Sequence, residues 1–340
     1  MNLPLFAGIF VAVFLLSLGG TRWALGYLKQ RAILDHPNAR SSHTIPTPRG
    51  GGLAVSTVLI AAWAVLALTG FGNLPQILSL CAAAFGLAVL SWWDDLRPLP
   101  ASLRLVGQAV AVGIALIYNS YEASYFGGFL PPWLDTVAAG ILWIWFLNLF
   151  NFMDGIDGMA GIEVVTVSAI GALLAITSMP EPGDWVAPLV MAAATLGFLI
   201  WNWPPAQIFM GDAGSGFLGL ALGTLLLQAA WTDGRLFWSW LILLAVFETD
   251  ATVTLLRRLV RRVPHFWRAH RQHAYQRATT LWGGHRPVTI AVGVINVCWL
   301  FPLALLVARG WMDGPTGLMI ACAPLAILAL RLGAGAAEPT

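Results

Sequence analysis

The 340-residue chain is 58% hydrophobic and only 10% charged, whereas an average soluble domain is about a quarter charged, so an ordinary water-soluble globule is excluded. Its formal net charge of +2 is too small to point to a nucleic-acid ligand. Cys81, Cys298 and Cys322 stand alone in apolar runs, which excludes a disulfide framework and a paired-cysteine metal site.

A membrane span consumes about 20 apolar residues. Runs bounded by charge, Pro or Gly recur near 3–25, 52–70, 76–93, 103–119, 134–151, 160–179, 185–203, 214–231, 236–257, 288–309 and 315–332. They predict an all-α polytopic bundle of about 11 transmembrane helices. The bundle forms one domain over 1–340, with basic loops at 26–51 and 258–287. The first run has no Lys or Arg before Arg22 and no small-residue cleavage site, so it reads as a retained span with an outward amino terminus. Short basic loops stay on the cytoplasmic side. With that orientation sixteen of the 18 Lys and Arg residues fall inside and only Arg235 and Arg309 fall outside, which also places the carboxyl terminus inside. Trp92, Trp93, Trp143, Trp145, Trp201 and Trp203 sit near span ends, as interface anchors do.

The acids gather on one side of this topology. Asp94 and Asp95 follow the third span, Asp154 and Asp157 the fifth, and Asp212 the seventh. Carboxylates at membrane depth are costly and are usually paired or functional. In the run 148–158, NLFNFMDGIDG, the residues Asn148, Asn151, Asp154 and Asp157 recur every third position, a polar stripe suited to a hard cation's oxygen ligands. In 209–216, FMGDAGSG, small residues flank Asp212, and Ser215 lies where a phosphate would meet the next helix's amino terminus.

Two basic loops supply the opposite sign. The stretch 35–52, DHPNARSSHTIPTPRGGG, offers Arg40, His43 and Arg49 but lacks the ending of a P-loop. The later stretch, 257–287, holds eight arginines with His265, His270, His273 and His285. A helix over 269–277 would put His270, His273 and Arg277 on one face, with Arg271 beside them. Acids facing basic loops suit a phosphorylated substrate only with a cation between them. Magnesium, with manganese as a substitute, prefers one or two carboxylates plus substrate oxygens. The residues therefore predict metal-assisted phosphoryl transfer at the cytoplasmic face, with one substrate soluble and the other in the lipid.

The motifs WDDLRPLP, NLFNFMDGIDGMAG, IFMGDAGSGFLG and AHRQHAYQR resemble, in this order over nearly the whole chain, the polyprenyl-phosphate N-acetylhexosamine-1-phosphate transferases, the glycosyltransferase family 4 group that includes MraY, WecA and WbpL. The resemblance implies a multi-pass bacterial inner-membrane enzyme. Such an enzyme moves a sugar 1-phosphate from a UDP-N-acetylhexosamine to undecaprenyl phosphate, releases UMP and starts a surface glycan. It implies Asp212 as the principal metal ligand with Asp157 second, and Asp94 and Asp95 orienting the lipid phosphate. Asn148, Asn151, Asp154 and Ser215 would lie on the nucleotide side, and Arg40, His43, Arg49, His270, Arg271 and His273 would grip the donor. The chain lacks the paired-histidine loop of MraY and the HIHH of WecA, and its late loop is most similar to the WbpL branch of O-antigen and lipopolysaccharide initiation. UDP-GlcNAc, UDP-N-acetylfucosamine and UDP-N-acetylquinovosamine all stay open as donors. Monomer and homodimer also stay open.

Glu163, Glu248 and Asp250 lie within spans, either pairing with nearby basic residues or lining a lipid groove, with Asp250 nearer the site than Glu248. A proton- or ion-coupled transporter is the rival reading, since buried carboxylates among many spans are its signature too. It predicts acids near mid-membrane and a two-half repeat. An aspartyl intramembrane protease would need Gly where Phe209 stands.

Overall fold

A computed structural model describes residues 3–37, 42–71, 74–97, 99–117, 130–178, 182–265 and 270–336. The chain is helical almost throughout, in the order α1 (Leu3–Gln30), β1 (Leu34–Asp35), β2 (Thr47–Pro48), α2 (Gly52–Leu68), α3 (Leu74–Leu96), α4 (Ala101–Ile117), α5 (Pro132–Met153), α6 (Met159–Ser178), α7 (Pro182–Asn202), α8 (Asp212–Thr232), α9 (Gly234–Leu243), α10 (Ala245–Val260), α11 (Ala274–Leu281), α12 (His285–Ile295), α13 (Phe301–Ala308) and α14 (Gly314–Arg331).

Each predicted span coincides with a helix, but not every helix is a plain span. Among the described residues eight helical stretches are long and apolar enough to cross a membrane, and nine if α9 and α10 count as one; α2 and α4 are apolar but shorter. The expected ninth span breaks at Leu244, where α9 and α10 meet at 67°. The tenth contains a π-helical segment, Asn296–Leu300, just before Pro302. That proline lacks the amide that would close the preceding turn, a recognised cause of a local widening. The basic loops are also shorter than expected, since α1 runs on to Gln30 and α10 to Val260.

The core is built around α8, whose Phe217, Leu218, Leu220, Ala221 and Leu222 are fully buried against α2, α3 and α5. Its approach to α2 depends on glycine. A Cβ on Gly52 would fall 2.2 Å from the Gly214 Cα, and one on Gly214 would fall 2.5 Å from the Gly52 Cα. The two backbones therefore touch at the helix starts. Glu163 is buried in α6, where it accepts a 2.7 Å hydrogen bond from the Asn296 amide at the start of the π segment.

Candidate functional site

Several helix ends meet around the first turn of α8. The loop before α2 pairs with the loop before α8: Phe209 N donates to Pro48 O at 2.8 Å, Gly50 N and Gly51 N donate to Phe209 O, and Gly52 N donates to Met210 O at 2.8 Å. This pairing carries Arg49 to Asp212, where Nη2 stands 2.7 Å from Oδ1. Both side chains keep about a third of their surface open, 34% for Arg49 and 30% for Asp212. His43 lies edge-on to the Phe209 ring at 4.9 Å. Ser42 Oγ donates to Gly155 O at 2.6 Å and so straps the same loop onto the turn after α5.

The polar stripe of α5 fans out. Residues three apart on a helix are offset by about 60°, and the helix stops at Met153, with Asp154 as its C-cap. Asn148 faces α4, where its amide donates to Gln108 Oε1 at 2.8 Å. Asn151 faces α8 and accepts from Ser215 Oγ at 2.7 Å. Ser215 is fully buried. Its hydroxyl donates to Asn151, whereas the sequence reading set it toward a phosphate.

Asp157 lies in the turn and is held from three sides. Its Oδ2 accepts from Ala206 N at 3.0 Å, its own N–H donates to His285 Nδ1 at 3.3 Å with Oδ1 3.2 Å from the same nitrogen, and its carbonyl accepts from Thr289 Oγ1 at 2.8 Å. The next amide, Gly158 N, donates to Asn202 Oδ1 at 2.9 Å. His285 and Asn202 are partners that sequence reasoning did not assign, because the start of α12 and the end of α7 come together only in the fold.

At the end of α3, Asp94 Oδ1 accepts from Leu99 N at 2.6 Å and Oδ2 pairs with Arg104 at 3.2 Å. This helix end adjoins the same centre: Ser91 lies beside Gly216, and Trp92 packs where a Gly50 Cβ would stand. Arg40 and the side chain of Asp95 lie outside the described residues.

The late loop reaches the centre differently from the sequence expectation. The helix begins at Ala274, so His273 is its N-cap and His270 precedes it. The two imidazoles nevertheless stack, with centroids 4.7 Å apart. Arg277 turns away and donates to the Ala336 carbonyl. Arg271 is half-buried beside the pair. Tyr275 Oη donates to Phe152 O at 2.9 Å, and a Cβ on Gly155 would strike that oxygen at 2.1 Å, so the DGIDG turn needs its first glycine here. Burial, with Asp250 and Asp154 nearby, pushes the Tyr275 phenol well above its usual range. Burial, with His273 and Arg258 close by, pushes His270 down to about 3. His270 is therefore neutral at neutral pH, and since its Nδ1 accepts from Gln272 N at 3.2 Å, its proton sits on Nε2. It is a neutral hydrogen-bond donor.

Among the described residues no group of three or more ligating His, Cys, Asp or Glu side chains comes together. The oxygens present fit a different kind of site. Asp212 is an accessible carboxylate whose present partner is a cation, while Asp157 and Asp94 are largely committed to amides and basic side chains. One accessible carboxylate suits a magnesium ion that completes its shell with water and substrate phosphate, not an all-protein cage.

The profile of glycosyl transferase family 4 matches residues 77–230, from α3 through α8. Over that stretch the chain is similar to glycosyl transferase family 4. It is also similar to a Bacillus subtilis protein named as a probable undecaprenyl-phosphate N-acetylglucosaminyl 1-phosphate transferase, 29% identical over 290 residues, covering 81% of this chain and 77% of the relative. It is similar to the decaprenyl-phosphate N-acetylglucosaminephosphotransferase of Mycolicibacterium smegmatis, 29% identical over 62% of this chain and 57% of the relative. An undecaprenyl-phosphate alpha-N-acetylglucosaminyl 1-phosphate transferase of Thermotoga maritima is 27% identical over 75% and 77%. The family 4 match covers the helices that carry Asp94, Asn151, Asp154, Asp157 and Asp212, but neither the Arg49 loop nor the histidine loop. Nothing among these relatives supports the transporter reading.

Proposed function

We propose that this protein transfers an N-acetylhexosamine 1-phosphate from a UDP-sugar to a polyprenyl phosphate at the cytoplasmic face of a bacterial inner membrane, releasing UMP. The observation that carries this reading is the convergence of the Arg49–Asp212 pair, the Asn151–Ser215 pair, the Asp154–Asp157 turn and the His270–His273 stack at one end of the bundle. The names of the Bacillus, Mycolicibacterium and Thermotoga relatives favour N-acetylglucosamine as the sugar and undecaprenyl phosphate or a close homologue as the acceptor. The late loop favours a role in O-antigen or related lipopolysaccharide synthesis.

In this reaction an oxygen of the lipid phosphate attacks the phosphorus that bears the sugar, and the bond from that phosphorus to the bridging oxygen breaks as UMP leaves. A phosphate monoester has a second pKa near 6, so the nucleophile is already largely a dianion and needs little help from a general base. A magnesium ion held by Asp212 would neutralise charge on the phosphates. The chain's own part is positioning. Arg49 stands ready to move from Asp212 to a phosphate oxygen, and Asn151, fixed by Ser215, shapes the wall between α5 and α8. His270 gives a neutral donor to the diphosphate or sugar, with Arg271 beside it for charge. Asp94, and Asp95 next to it, orient the lipid phosphate near Arg104.

A cavity of about 1100 Å³ lies elsewhere, between α5, α8, α9 and the turn before α14, lined by Trp143, Phe146, Leu226, Trp238 and Leu241. Leu226 is fourteen residues beyond Asp212 on α8, about 20 Å along the axis at 1.5 Å per residue. This cavity is not the chemical site, and its apolar lining suits a hydrocarbon chain.

Purified protein incubated with undecaprenyl phosphate and a panel of UDP-N-acetylhexosamines should release UMP with at least one donor, and chelation should stop it. Absence of UMP with every donor sinks the reading.

A further inference from the structure

Asp250 carries a role that neither the family match nor the reading above gives it. It lies in α10, buried, in a bundle where an ionisable group is expensive unless it is fully partnered. Its partners are specific. Oδ1 accepts from Ala274 N at 2.9 Å and from Thr254 Oγ1 at 3.1 Å, and Oδ2 accepts from Tyr275 N at 2.9 Å. His273 Nδ1 stands 3.4 Å from Oδ1.

Ala274 and Tyr275 hold the first two amides of α11, and a helix leaves such amides without intrahelical acceptors. A Ser, Thr, Asp or Asn at the N-cap usually satisfies one of them locally. Here the N-cap is His273, which forms a capping box with Gln276, its own N–H donating to Gln276 Oε1 at 3.3 Å, and the first two amides of the helix find their acceptor in a carboxylate more than twenty residues earlier in the chain. A remote cap leaves the N-cap position free for an imidazole and sets that imidazole beside the carboxylate that caps the helix. The same helix then fixes the DGIDG turn through Tyr275 Oη and Phe152 O.

We propose that Asp250 is the positioning residue of the histidine loop. It anchors α11 and holds the His273 proton on Nδ1, so that His273, with His270 stacked on it, presents a fixed Nε2 to the sugar-nucleotide donor. The donor part rests on the function proposed above, whereas the anchoring of His273 does not. A carboxylate facing Nδ1 sets a histidine's tautomer and ring orientation in this way at many sites.

The test has two arms. Without substrate, ¹⁵N NMR of histidine-labelled protein should show His273 protonated at Nδ1, and Asp250→Asn should shift it toward the Nε2 tautomer. An unchanged His273 signal overturns the anchoring whatever the activity is. In turnover, Asp250→Asn should raise the KM for the UDP-sugar about tenfold while leaving the KM for polyprenyl phosphate unchanged. Added to His273→Ala it should cost no more than a further twofold, as contacts acting through one residue are non-additive. Equal shifts in both KM values, or effects that multiply, would overturn the positioning role. If Asp250→Asn does not accumulate, Ala274→Pro serves instead in both arms. It deletes one amide that Asp250 accepts, proline is favoured at this first helical position, and His273 already has the extended backbone a residue before proline needs. The same donor-specific KM rise supports the proposal, and wild-type values in both arms defeat it.

Discussion

At the scale of single residues the site turns on Asp212. Its partner Arg49 places one guanidinium 2.7 Å from the carboxylate, adding to the partial positive charge that the amino-terminal end of α8 already offers it. The pair is a third exposed, so water screens it and it adds little to stability. Its value is as an exchangeable placement, in which the carboxylate can trade a guanidinium for a cation and the guanidinium can trade a carboxylate for a phosphate. Asp212→Asn keeps the size and a neutral acceptor for Arg49 but loses the charge. We expect it to lower UMP release by about 100-fold or more, the scale seen when a group that stabilises transition-state charge is removed. The protein should still insert and should melt within a few degrees of wild type. Turnover close to wild type would remove Asp212 from the reaction.

At the scale of elements, the close approach of α2 and α8 makes a backbone contact part of the site. Gly52 and Gly214 leave no room for a methyl group, and what a Gly52 Cβ would meet is main chain, which cannot rotate aside. Gly52→Ala should therefore separate the two helix starts, pull Arg49 away from Asp212 and cost about 1–3 kcal/mol, as overpacking does. A lowered melting temperature in detergent together with reduced turnover is the expected result. Gly86→Ala, on a part of α3 where nothing lies within 4 Å, should be neutral by both measures. Equal behaviour of the two variants would show that the contact is dispensable. The sequence made the helices legible because every span had to carry an apolar run, and it made the acids legible because charge is rare in such runs. It did not reveal the break at Leu244, the π segment before Pro302, the start of α11 at Ala274, or the partners His285 and Asn202, and it set Asp250 near the site without the helix start that it caps. Each of these depends on which helix end meets which, and local pattern carries no signal for that. The stripe from Asn148 to Asp157 misled for a related reason. Spacing of three places residues near one face but not on one line, and the helix stops before the stripe does.

At the scale of the whole molecule the polar ends of the helices sort into two groups. One group joins the Arg49 loop, the end of α5, the loop from Pro204 to Gly211, the start of α12 and the histidine loop. The other joins Asp233 and Arg235, at the end of α8, to Gly310 and Asp313 around the far cavity. Among the described residues Arg49 and the arginines around the histidine loop lie with the first group, and Arg235 lies with the second beside Gly310, where the sequence alone had set Arg235 and Arg309 apart. Basic residues in short loops stay in the cytoplasm, so the sorted fold argues for an inward-facing site supplied by soluble nucleotide sugar, with the far cavity on the outer half. Single cysteines placed by Ser42→Cys and Thr316→Cys, in a chain freed of its own three, should separate in intact cells. A membrane-impermeant maleimide should label position 316 and should reach position 42 only after the membrane is opened. The reverse pattern would invert the bundle and put the proposed chemistry on a side where no sugar nucleotide is made.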